Sequence, residues 1–111
     1  MIADPPYFRR MHYAVYRAWG PAWDRSRSLR EQEKWTEHAA YMDALVDDGF
    51  IVLGGPLGDG AMLIVDVDDE EEIEPRFAAD PWTPMQMLKT ASVDRWQILL
   101  GGIEKQPDRV E

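Results

Sequence analysis

Residues 28–49 read SLREQEKWTEHAAYMDALVDDG, and this stretch decides the fold. Ser28 followed three residues later by Glu31 fits a capping box, which predicts that a helix starts there. Trp35, His38, Met42, Leu45 and Val46 then recur at helical spacing and define one buried stripe, with His38 on it. Gly49 supplies the left-handed residue that commonly closes a helix. Asp47 and Asp48 fall at the negative end of the helix dipole, which disfavours them, and the sequence offers no reason for their presence.

Working outward from this helix, residues 11–19 are rich in aromatic and β-branched side chains and read as a first strand, on which His12, Ala14 and Tyr16 share one face. Gly20-Pro21 ends it, and a loop over 20–28 carries Trp23, Arg25 and Arg27. Beyond the helix, residues 50–53 form a short second strand. Gly54-Gly55-Pro56 and Gly58-Asp59-Gly60 bracket a turn, and the apolar run 61–67 is a third strand. The acidic run 68–72 suits the start of a second helix, with Ile73 and Phe77 on one face. Pro75 removes a backbone donor there and is expected to bend or shorten that helix. Asp80-Pro81-Trp82-Thr83-Pro84 is a rigid turn, and 93–100 is the last strand. The order is β-α-β-β-α-β, the split βαβ pattern of ferredoxin-like α+β domains. Two helices cover one sheet face, so the other calls for a cover, most simply a second copy of the sheet. Residues 1–10 read as an N-terminal extension, 11–100 as the domain and 101–111 as a polar C-terminal tail.

Composition narrows the function. A net charge of −9 argues against a nucleic-acid partner, whose phosphates need Lys and Arg. The absence of cysteine removes disulfides, thiolate nucleophiles and Cys-based zinc sites. Two His without Cys give no metal-ligand spacing, so neither metal nor cofactor is expected. The acidic run lacks the twelve-residue loop of a calcium site. No apolar run is long enough to span a bilayer, and residues 1–10 lack the order of a signal peptide, which points to a cytoplasmic address.

Several residues carry alternative readings. His38 is either a general acid/base or a buried helix histidine bonded to backbone; Asp80 is either its orienting partner or the residue that opens the turn before Pro81. Trp23 and Trp82 line an aromatic ligand pocket or belong to the core, and Tyr16 donates into a pocket or packs in the core or an interface. Arg25, Arg27 and Arg30 form the one basic patch, suited to an anionic ligand or simply solvated. Gly55 and Pro56 belong to a turn whose backbone approaches the pocket.

The segment from His38 to Gly49 resembles the YCII-related domain family, as do Gly55-Pro56, the Ala78-Ala79-Asp80-Pro81-Trp82 segment and the late strand around Val93 and Trp96. The resemblance runs from about Met11 to Leu100. It implies a homodimeric α/β barrel of ferredoxin-like subunits with a His–Asp pocket, which maps onto His38 and Asp80. It further implies a cofactor-independent lyase or isomerase acting on a small ring compound, of the dehydrochlorinase kind found among related proteins, and the Trp and Arg residues above make an aromatic or acidic ligand the expectation. The alternative is a non-catalytic dimeric module that binds such a ligand or serves as an accessory subunit. Pro75 and the arginine-bearing loop 20–28 depart from the family pattern, which bears on how Asp80 is presented and on the transfer of any substrate.

Overall fold

A computed structural model describes residues 11–101, so the N-terminal extension and all but the first residue of the C-terminal tail lie outside the described residues. Four strands and two helices follow in the expected order: β1 (Met11–Trp19), α1 (Trp35–Asp47), β2 (Ile51–Pro56), β3 (Gly60–Val67), α2 (Ile73–Ala78) and β4 (Leu88–Arg95). The strands form one antiparallel sheet in the order β2-β3-β1-β4. This is an α+β domain compatible with a ferredoxin-like fold.

Alternation along β1 sorts the sheet into two faces. Tyr13, Val15 and Arg17 are buried. Tyr13 and Val15 stand opposite Val65 and Leu63 of β3. With Leu45, Phe50, Ile51, Ile73 and Phe77 these side chains make the main core. His12, Ala14 and Tyr16 point the other way, paired with Asp66, Ile64 and Met62.

Local differences from the sequence-based expectations have physical causes. The Ser28–Glu31 box exists, with the Ser28 N–H donating to Glu31 Oε1 at 3.0 Å, but it opens only a single 3₁₀ turn over Leu29–Glu31. Gln32 then turns extended, and its buried amide donates to the carbonyls of Asp24 (2.7 Å), Arg27 and Ser28. Those bonds hold the loop closed, and α1 starts afresh at Trp35 behind a left-handed Lys34 (φ 63°). On the predicted stripe His38 and Leu45 are buried, Trp35 and Met42 half-buried, while Val46 is exposed. Gly49 closes α1 at φ 89°. Asp48 acquires the reason the sequence lacked: it accepts from the Phe50 N–H (3.0 Å) and from Arg76 (2.7 Å). The Phe50 bond, followed by Arg76, holds its carboxyl below the ordinary value.

Strand β2 extends through Gly54, Gly55 and Pro56, so these residues belong to a strand and not to a turn. Pro56 is tolerated because β2 is an edge strand and owes no donor on its outer side. Asp69 caps a 3₁₀ turn over Glu70–Glu72, which leads into α2, by accepting from the Glu71 N–H. Pro75 sits in the first turn, and the helix lasts six residues, short as its proline implies. The last strand begins at Leu88, five residues before the expected start, and ends at Arg95. A bulge at Ala91 of β4, opposite the step from Tyr16 to Arg17, shifts the register and leaves Leu88 buried opposite Trp19, while Leu99 and Leu100 lie beyond the strand and exposed.

Candidate functional site

The chain leaves β1 at Gly20 pressed against the turn that follows α2. The Gly20 N–H donates to Met87 O at 2.8 Å, and a Cβ on Gly20 would stand 2.1 Å from Gln86 O. Only glycine fits there. The close approach brings Trp23 of the first loop edge-on to Trp82, with ring centroids 5.5 Å apart. Trp23 stacks on Trp19 at 4.9 Å, and Trp35 leans on Trp82 at 5.9 Å. A second apolar cluster therefore forms around Trp82, Met87 and Leu88, apart from the main core.

Between the two clusters lies a buried polar network. Asp80 is fully buried and His38 is 7% exposed. His38 Nδ1 lies 2.9 Å from Asp80 Oδ1 and 3.0 Å from Oδ2. The imidazole stacks on Trp82, with centroids 3.8 Å apart and planes 9° from parallel. Asp80 Oδ1 also accepts from the Trp82 N–H at 3.0 Å, the turn-opening bond of an Asp before Pro. Asp80 thus both contacts His38 and opens the turn before Pro81. Its Oδ2 accepts from Arg17 Nη1 at 3.1 Å, and Arg17 Nη2 donates to Thr83 Oγ1 at 2.8 Å. Thr83 in turn donates to Phe77 O at 2.6 Å.

Arg17 and Thr83 are the members that reading the sequence missed. For Arg17 a signal existed. Period-two alternation puts it on the same face as Tyr13 and Val15, and a charge on an apolar face must be paired. Burial pulls the Arg17 guanidinium down from its ordinary value, and the Asp80 charge opposes that. Arginine stays charged even so, and with Arg17 and Trp82 both donating, Asp80 serves as an acceptor. The hydrogen between His38 and Asp80 therefore sits on Nδ1, and in the neutral ring Nε2 carries the lone pair. Among the described residues Nε2 has no hydrogen-bond partner.

His38 borders a cavity of about 640 Å³ between α1, the first loop and the β2–β3 end of the sheet. Trp82, Trp23, Arg25, Arg27, Gly55 and Pro56 line it, as their candidate roles require; so do Trp19, Trp35 and Arg30. Tyr16 is the exception. It projects from the opposite sheet face and its hydroxyl donates to Leu57 O at 2.7 Å, so it does not belong to this cavity. Asp80 does not reach the wall; its contact with the cavity is by way of His38. Arg25 and Arg27 are largely exposed and already face acids: Arg25 lies 3.3 Å from Asp59, and Arg27 3.5 Å from Asp24. No helix among the described residues is long and apolar enough to cross a membrane.

No family model matches this sequence, and no curated protein matches it.

Proposed function

We propose that this protein is a small-molecule enzyme of lyase or isomerase type, related to the YCII domain family, in which His38 moves a proton. One observation carries this: the His38 ring has Nδ1 bonded to a buried carboxylate and its body on a cavity of molecular size. Nε2 would take a proton from a carbon acidified by a neighbouring carbonyl. In an isomerisation the proton returns at another carbon. In an elimination, as in loss of chloride, the C–H electron pair becomes the new double bond and the leaving group departs with its own pair. Asp80 supports the imidazolium formed on the way, and Arg17 and Thr83 hold Asp80 in place. Burial of Asp80 and stacking of His38 on Trp82 keep the pair itself out of water, which strengthens their charge interaction. None of these steps calls for a cofactor.

Deuterium incorporation followed by NMR tests it, with cyclic ketones and ring compounds bearing a leaving group beside an acidic C–H. The wild-type chain is expected to exchange or eliminate, and a folded His38→Ala variant to be slower by about 10²–10⁴-fold. Turnover at the wild-type rate in that variant would sink the proposal.

A second reading has its own support. Asp80 is wholly consumed by contacts that tie β1, α1 and the post-α2 turn together, as a purely structural group would be. The chain would then be a non-catalytic ligand-binding or accessory module, and His38→Ala would lower stability while showing no chemistry to lose. In both readings a second copy covers the face bearing Tyr16 and Met62, completing a dimeric barrel. A monomer mass by sedimentation would remove that part.

A further inference from the structure

We propose that the cavity beside His38 selects a planar ring compound carrying one carboxylate, and that Arg30 is the residue that selects it. This rests on the cavity being a ligand site, as the acid/base reading does, but needs no chemistry from His38.

The cavity wall carries three arginines, Arg25, Arg27 and Arg30, and one acid, Asp43. In a chain of net charge −9 this local excess of cations is notable, but its members are not equivalent. Asp59 already neutralises Arg25, and Asp24 neutralises Arg27. Arg30 has no acidic partner among the described residues; its guanidinium lies 5.6 Å from the Trp35 ring centroid. One unpaired guanidinium matches one negative charge, and its fork fits a carboxylate.

The aromatic surroundings set the rest of the ligand. Trp35 stands between the two polar ends, 5.6 Å from Arg30 and 5.8 Å from the His38 ring. Trp19, Trp23 and Trp82 extend the aromatic wall. Flat, unsaturated rings stack on such faces, and they bring large contact area at little entropic cost. A carboxylate held by Arg30 therefore lays its ring along Trp35 toward His38. Asp43 does not compete: it sits eight residues beyond Trp35 on α1, about 12 Å along the helix axis. It repels a second negative charge at the far end, which restricts the ligand to a monoanion.

Isothermal titration of the full chain at low salt tests this with 1-naphthoate, its neutral isostere 1-naphthamide and the cation 1-naphthylmethylammonium. The carboxylate is expected to bind about tenfold to a hundredfold tighter than the amide, as a hydrogen bond to a charged group implies. The cation is expected to bind weakest. Arg30→Gln, an exposed change, is expected to bring naphthoate down to the affinity of the amide. Arg25→Gln, whose charge Asp59 already answers, is expected to alter the preference by less than about threefold. No binding by any probe, equal binding of acid and amide, or a preference that survives Arg30→Gln overturns the proposal. Turnover that needs His38 without any carboxylate preference removes this inference and leaves the acid/base reading standing. A carboxylate preference kept in His38→Ala, with no turnover in the wild type, does the reverse.

Discussion

Arg17 is the residue on which the site rests. It is 1% exposed, and its hydrogen bonds go to Asp80 and Thr83, with the Phe77 ring beside the guanidinium at 5.0 Å, so the cost of burying its charge is met chiefly by Asp80. Removing one member of a buried pair leaves an uncompensated charge, which typically costs about 3–5 kcal/mol. Arg17→Met is therefore expected to lower unfolding free energy by that order in urea titrations. Arg17→Met combined with Asp80→Asn is expected to cost less than the sum of the two single changes, by about 1 kcal/mol or more. Strict additivity would mean that the two groups do not act as a unit. Sequence reasoning reached His38 and Asp80 because both belong to the resemblance and Asp80 precedes a proline. It did not reach Arg17, because a strand arginine is ordinarily solvated; only the alternation with Tyr13 and Val15 marks it as buried, and Thr83 carries no comparable mark.

At the scale of elements, the end of α1 joins a glycine to an acid. Gly49 turns the chain at positive φ, and Asp48 then ties the start of β2 to the helix through the Phe50 N–H and reaches Arg76 of α2. The Asp48 carboxyl is held below its ordinary value, so its contribution is complete above the unfolded-chain value and is lost as pH falls through the folded one. The stability gap between wild type and Asp48→Asn is thus expected at pH 7 and expected to close below about pH 4. Because the pair is half exposed, the gap is at most about 1 kcal/mol. A gap that widened toward acid would contradict the assignment. Elements with local signals were legible in this chain: β1 from its aromatic and β-branched run, the end of α1 from Gly49, the brevity of α2 from Pro75. Elements set by distant partners were not. The start of α1 is postponed by Gln32 bonds to the loop before it, and the register of β4 is set by its pairing with β1 across a bulge at Ala91, neither of which the local sequence pattern announces.

At the scale of the molecule, the site joins residues 42 and 63 positions apart, so it exists only when β1, α1 and the post-α2 turn are packed together. The polar network also spans two apolar clusters. Its Arg17 end lies 5.0 Å from the Phe77 ring of the main core, and its His38 end stacks on Trp82 of the second cluster. Among the described residues Asp80 is the single group bonded to both ends. If that bridge couples the clusters, the wild-type chain unfolds as one unit, and far-ultraviolet circular dichroism and tryptophan emission trace the same denaturation curve. Asp80→Asn keeps the side-chain shape but leaves the Arg17 charge unanswered. Its tryptophan emission is then expected to change at lower denaturant than its sheet signal, because the loop cluster of Trp19, Trp23, Trp35 and Trp82 can open while the main core persists. Should the two signals move down together, the clusters are coupled by packing alone, and Asp80 would serve the histidine without holding the molecule together.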